Sequence, residues 1–343
     1  MVEYSISLKI HINYSKHLKV GVIYKITKRI IKGEFYILNN DYFSKLPNIL
    51  LVPTKTKKSI YEHIKDDKLI LIFDYLYTNM NREGVSLFSI NDIVTTYGFK
   101  IDTHKGRIND KIKDILLKLS ELNYITVNFN VNSIKNNELL RCNINNNIVN
   151  YDDGFIQLFK SELNTILSCA DIDKLILLKL YCYLKTRIYK RAGDKPISAT
   201  GGKAEVGYPS YELIYNEIGI SESITSKYIE KLKDLKLIVY NNAGVYYHPS
   251  NKENKKESAN TYVLYKKDGS HKDELKEGVK FFKITKEQEG FIFIPKDKKP
   301  YKYNNRKLNG ELGALTKLKN KGTANEKQLK RIIEIRNIIE SNK

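Results

Sequence analysis

The chain has no run approaching the ~18–20 consecutive apolar residues of a membrane-spanning helix. Its first residues, MVEYSISLKIHINYSKHLK, alternate apolar with polar positions and read as a strand rather than a signal peptide. Cysteine is scarce: Cys142, Cys169 and Cys182 form no CxxC pair and leave an odd thiol, which excludes a disulfide framework and a zinc ribbon. A reduced, cytoplasmic setting with no membrane partner is the expectation. Tryptophan is absent, and acids are outnumbered, 39 Asp+Glu against 59 Lys+Arg, a formal net charge of +20. Hydrophobic residues at 41% and aromatics at 11% exclude a disordered polycation, so the charge belongs to a folded object that draws polyanions. The abundance of Lys, Asn, Ile and Tyr also fits the codons of an A/T-rich genome, and composition alone leaves both explanations of the lysine standing.

The signatures of catalysis are missing as well. Gly201-Gly202-Lys203-Ala204 lacks the earlier glycine (Ile197 stands there) and the Ser/Thr of a P-loop. There is no GxGxxG, no acidic metal cluster on a supporting strand and no His-x-His. His104-Lys-Gly-Arg107 matches the His-x-x-Arg piece of tyrosine recombinases, but nothing else of that set is in place. The expectation is a protein that is not an enzyme, with no catalytic residue, cofactor or metal.

At roughly 100–200 residues per domain, 343 residues allow two or three domains. Residues 1–60 carry alternating runs (Ser5–Ile12, Val20–Ile26, Gly33–Leu38) and a short connector at Tyr42–Pro47, a β-rich N-terminal segment. Over 61–150 the pattern predicts a helix from Asp66 to Asn81, a strand at Leu87-Phe88, a helix opened by Ser89-Ile-Asn-Asp92 and closed at Gly98, a helix from Thr103 to Leu122, and a long-tipped hairpin from Tyr124 to Val149. The order recurs over 151–268: a helix from Asp171 to Tyr189, an insertion, helices at Ser210–Ile218 and Ser221–Leu237, and a hairpin turning at Asn241-Asn242-Ala243-Gly244. Each is the order of a winged helix. The expected class is therefore α+β, two winged helices (helix-turn-helix domains) in tandem, followed over 269–343 by an exposed basic arm with a terminal helix.

The most informative stretch runs from Tyr211 to Ile238. Leu213, Ile214 and Ile218 supply one apolar face, Gly219 the turn, and Ile224, Tyr228, Leu232 and Leu235 the second face. Ser223, Ser226 and Glu230 fall opposite it, with Lys227 and Lys233 at its flanks and Ser221 as N-cap. Short side chains at Ser223, Thr225 and Ser226 let such a helix lie deep in a major groove, and Asn241 and Asn242 form a wing tip near a minor groove. The other reading of this pattern is a helical hairpin in a protein-interaction domain. In the first unit, Gly106, Asp110, Lys113, Asp114 and Leu117 lie opposite the apolar face with Arg107 and Asn109 beside them, so that unit is expected to dimerise or brace, with Lys105, Arg107 and Lys113 touching phosphates at most.

Two basic clusters flank the second unit in sequence. Residues 185–203 hold six cations (185, 187, 190, 191, 195, 203) against Asp194, and Lys190, Arg191 and Lys203 are candidates for a backbone clamp, or else for a solvated loop. Residues 296–322 hold nine cations against two acids, net +7.

Ile218-Gly-Ile-Ser-x-x-x-Thr-x-Lys-Tyr-Ile-x-x-Leu232, the strand Asn260-Thr-Tyr-Val-Leu264 and the lead-in Phe43-Ser-Lys-Leu-Pro47 resemble the tandem winged-helix replication initiators of plasmids and phages from A/T-rich bacteria. The resemblance spans about 61–268 and implies a homodimer in which one unit dimerises and the other reads repeated origin sites in double-stranded DNA, together with host replication proteins. A transcriptional or partition regulator built on the same modules is the alternative, and a DNA-nicking or recombining enzyme a more distant one.

Overall fold

The computed structural model describes residues 41–128, 134–145, 154–190, 204–294 and 302–341. The alternating runs of the first 40 residues, the hairpin tip at 129–133, and Arg191 and Lys203 lie outside them. The fold is mixed α+β, with several small antiparallel sheets rather than one large one.

The expected connector after residue 41 is a strand, β1 (Phe43–Pro47). It is followed by α1 (Ile60–Ile64), held at its start by a capping box of Ser59 and Glu62, and by α2 (Leu69–Thr78). Strand β2 (Val85–Phe88) leads to α3 (Ile90–Thr96), where Ser89 and Asp92 cap each other as the S-x-x-D spacing predicts. Then come α4 (Ile108–Glu121), β3 (Ile125–Val127) and β4 (Leu140–Ile144), with β4 in the middle of a β2–β4–β3 sheet.

A second series follows: β5 (Phe155–Phe159), α5 (Lys160–Leu167), α6 (Lys174–Arg187), β6 (Tyr189–Lys190), β7 (Glu205–Val206), α7 (Tyr211–Ile218), α8 (Glu222–Asp234) and β8 (Ile238–Asn242). Asp173, not Asp171, caps α6, accepting from the Leu175 and Ile176 amides. Strands β9 (Val245–His248), β10 (Asn251–Glu257) and β11 (Asn260–Leu264) come next. The sequence pairs Leu237–Tyr240 with Val245–Tyr247 around 241–244. In the structure β8 pairs instead with β11, Tyr240 opposite Tyr262 and Asn242 opposite Asn260. Gly207, just past β7, bridges Tyr262 from the other side, so β11 is central. The physical reason is burial. Thr261, Tyr262 and Val263 are buried, whereas β9 is only half-buried at best, so β11 is the strand that completes the apolar layer.

The C-terminal part is more helical than a basic arm. Helix α9 (His271–Gln288) covers the β7/β8/β11 layer, and β12 (Ile292–Phe293) adds to the free edge of β9. Helices α10 (Lys302–Asn320) and α11 (Glu326–Ser341) form a hairpin tied by an Arg331–Glu311 ion pair of 3.0 Å, with Ile332 and Ile335 buried. The basic run at 302–320 is thus part of a helix of this hairpin.

One hydrophobic core runs through both series, from Leu46 in β1 to Tyr262 in β11, and α6 is its axis. From Leu177 to Lys185 every residue of α6 is buried, including two lysines. Lys185 Nζ lies 2.7 Å from a Glu162 oxygen and 2.6 Å from the Gln157 carbonyl, while Lys179 Nζ reaches Asp67 at 2.7 Å. β1 and β5, the opening strands of the two series, pair over five residues and join them. No described helix is long and apolar enough to cross a membrane.

Candidate nucleic-acid interface

The site is built on the α7–turn–α8 segment. Ser210 opens α7, its hydroxyl accepting from the Leu213 amide at 3.1 Å. Gly219 closes it at φ 69°, in the left-handed region where a side chain is strained, and there the chain reverses. Ile220 is buried just beyond, and the Thr225 hydroxyl donates to its carbonyl at 3.3 Å, fixing the first turn of α8.

That hydrogen bond corrects two assignments. Thr225, expected to face a groove, is 0% exposed, and Ile224, expected in the core, is 38% exposed. The buried stripe is Thr225, Tyr228, Ile229 and Leu232, spaced i, i+3, i+4, i+7, so it is rotated by about one residue from the expected one. Ile229, missed in the sequence, was legible from that spacing. The stripe is secured from α6: the Asp173 amide donates to the Tyr228 hydroxyl at 3.2 Å.

Ser223, Ser226, Lys227, Glu230 and Lys233 form an exposed row on the opposite side. Ser221 occupies the N-cap position as expected, but its hydroxyl makes no capping bond and lies 3.4 Å from Ser223 Oγ instead. The first-turn amides of α8 are therefore not closed off by the Ser221 hydroxyl. Further along the row, Lys233 is engaged with Glu230 at 3.2 Å, and Glu230 also accepts from the Tyr240 hydroxyl on β8. The Tyr240 bond, then Lys233, holds the Glu230 carboxyl below its usual range; burial and that same carboxylate push the Tyr240 phenol up. Lys233 also lies 5.4 Å over the Tyr240 ring. This triad anchors the far end of α8 to β8 and offsets the Glu230 charge locally. Lys231, off the row, is clipped to Asp171 at 2.7 Å.

Asn241 and Asn242 do not form a turn tip. They end β8, opposite Thr261 and Asn260, and the Asn242 amide donates to Glu257 at 2.9 Å. Asn241 is exposed, one residue beyond Tyr240. The turn of the β9–β10 hairpin lies instead at Pro249-Ser250.

The α4 residues separate. Lys105 and Arg107 are exposed at its start, with Asp102 beside His104 at 2.7 Å and Arg107 at 3.9 Å. Lys113 is drawn inward, donating to the Ile134 carbonyl at 2.8 Å, and is not a free phosphate contact. Asn109 is buried, bonded to Asn91 at 2.8 Å and to the Asp102 amide, and Leu117 packs against the core. Leu117, expected opposite the apolar face, is thus turned partly inward, and Asn109, expected beside that face, is buried.

Of the basic cluster 185–203, Lys185 is buried against Glu162, and Arg187 pairs with Glu217 on α7. Lys190 belongs to β6. Two of the six counted cations are thus neutralised within the fold. Among the described residues no group of three or more His, Cys, Asp or Glu could hold a metal ion.

No protein-family model matches the chain, and no curated protein is significantly similar to it.

Proposed function

We propose that the chain is a non-enzymatic, sequence-specific duplex-DNA-binding protein made of two winged helices in tandem, and that it initiates replication of a plasmid or phage. The observation that carries the reading is the exposed row Ser223, Ser226 and Lys227 on α8, two short hydroxyls and a cation on a helix whose other face is locked in the core. Short polar side chains let a helix approach base edges, and Lys227 supplies a phosphate contact beside them. The winged-helix reading is supported by strand order. In 69–144 a helix, a strand, two helices and two strands succeed one another and the last strand is central; in 174–264 the last strand, β11, lies between Gly207 and β8. The replication role rests on the resemblance of the 218–232 motif and its flanking strand to plasmid and phage initiators. In this scheme the first series braces the second or dimerises, and the complex recruits host replication proteins.

The test is selection of bound fragments from the chain's own genetic element at physiological salt, followed by footprinting of variants. Lys227→Ala is expected to weaken all sequences about equally and to lower the salt slope by about one. Ser223→Ala and Ser226→Ala are expected to relax preference at single positions, at ~1–3 kcal/mol each. Direct repeats in an A/T-rich tract support initiation, a short palindrome at the chain's own promoter supports a regulator, and nicked or covalently attached product with Mg²⁺ overturns the non-enzymatic assignment. Unchanged footprints for all three variants sink the duplex reading.

A further inference from the structure

Away from α8, the sheet β10–β9–β12 carries an open cleft of about 140 Å³ lined by Tyr246, Tyr247, His248, Asn254, Lys256 and Phe291 among others. Its aromatic residues lie outside both the core that runs through the two series and the small apolar cluster of Ala204, Val206 and Val263. They brace one another instead. The Tyr246 ring stands edge-on to Phe291 at 5.2 Å and 5.3 Å from Phe293, and His248 is edge-on to Phe291 at 5.3 Å. The result is a set of rings beside solvent, Tyr246, Phe291 and Phe293 half-buried and His248 exposed, held in orientation by one another, with the half-buried Tyr247 next to them in the lining.

The strand beside them is unusual in another way. All seven residues of β10 are exposed, so it covers no apolar surface that would stabilise it. Its ladder with β9 is broken between Asn251, opposite His248, and Lys256, opposite Tyr246, and the residues between them bow away over Tyr247. On this bow Asn254 gives its backbone N–H to Asn251 Oδ1 at 3.2 Å, and among the described residues neither the Asn254 amide nor the Lys256 ammonium has a partner. Across the sheet, Lys286 and Lys283 lie 5.6 and 5.7 Å from the centres of the Phe291 and Phe293 rings. Of the nearby acids, Glu257 is engaged by Asn242, Glu289 by Lys286 at 2.5 Å and Glu287 by Lys283 at 3.8 Å; Glu253, exposed on the bow itself, is outnumbered there by Lys252, Lys255 and Lys256.

Fixed rings, an amide with both donor and acceptor capacity and an ammonium are the three groups that hold an unstacked base: a surface to stack on, an edge to bond and a charge for the phosphate. A duplex keeps its base faces inside the stack and offers no partner to such rings. We propose that this cleft binds an unpaired nucleotide of single-stranded DNA, a second activity separate from duplex reading by α8 and independent of it.

The experiment uses the full chain and a fluorescein-labelled oligothymidine strand, with a parallel 5-iodouracil strand for photo-crosslinking. The intact chain is expected to bind the strand and to cross-link within Tyr246–His248 or at Phe291. Tyr247→Ala should weaken binding about fivefold or more, since stacking carries the contact, and Tyr247→Phe should retain it. Lys227→Ala should leave single-strand binding unchanged while weakening duplex binding, which separates failure of this proposal from failure of the α8 reading. No single-strand binding, cross-links confined to other segments, unchanged binding by Tyr247→Ala, or equal loss in Tyr247→Phe would each overturn it.

Discussion

Ile224 and Thr225 are neighbours whose environments are the reverse of their polarity. The methyl and hydroxyl of Thr225 fill the tight first turn of α8 because the hydroxyl has a carbonyl to donate to, that of Ile220, and a buried hydroxyl with a partner carries little penalty. Polarity alone assigns both residues wrongly; helical spacing with Tyr228, Ile229 and Leu232 assigns them correctly. Lysine shows the same limit, because a cation counted from sequence has no address. Lys185 sits among Gln157, Glu162 and Tyr181 in the core, whereas Lys233 is half-exposed beside Glu230. Glu162→Ala leaves the Lys185 ammonium buried without its carboxylate and is expected to lower stability by ~3 kcal/mol or more, read as a shifted urea midpoint. Lys233→Ala is expected to shift it by less than ~1 kcal/mol. The thiols divide similarly. Burial pushes Cys142 up to about 12 and Cys182 higher still, while Cys169 is half-buried. Ellman's reagent at neutral pH should therefore titrate about one thiol in the folded protein and three after denaturation; rapid reaction of all three would contradict the packing of α6 and β4.

At the scale of elements, local chemistry was legible where a cap or turn marks a boundary. Ser89/Asp92, Ser210 and Gly98 bound α3 and α7 where the spacing places them, and Gly219 makes the reversal. Strand partners were not legible, because β8 is followed by two apolar-alternating strands and only the nearer one, β9, is close in sequence. The partner is β11, chosen by the layer it completes. Helix α9 was missed because its apolar stripe is interrupted by Lys and Glu and by a glycine. That glycine is informative in the structure: a Cβ at Gly278 would lie 2.7 Å from Val206 and 2.9 Å from Thr261, so the helix crosses the sheet at near-contact distance. Gly278→Ala is expected to destabilise by ~1–2 kcal/mol although alanine is the better helix former. Gly310→Ala, on α10 with nothing within 4 Å, is expected to stabilise by ~0.5–1 kcal/mol. Thermal melts of the two variants moving in the same direction would contradict the close approach of α9.

Across the whole molecule, the two series share α6 and one core, which a search for repeated element orders could not reveal. The burial of phenols and thiols in that core sets an alkaline limit. Burial, then the Asp92 charge, raises Tyr75 from 10 to about 12, and burial raises Cys142 from 9 to about 12. A raised acid favours the folded state while it is protonated. The contribution is thus complete below the unfolded values and is lost as pH climbs from about 9 towards 12. The melting temperature should fall across that window and more steeply than in a Cys142→Ala, Tyr75→Phe double variant; identical slopes would show that these groups are not the cause.

The β1–β5 ladder links residues 43–47 to residues 155–159. On a ribosome adding roughly 5–20 residues per second, β1 is made several seconds before its partner exists. During that interval the elements from α1 to β4 emerge one after another while β1 still offers the edge that β5 will close. The first half of this chain cannot finish folding on its own schedule: translation speed between residues 47 and 159 sets how long that edge stays available to other chains.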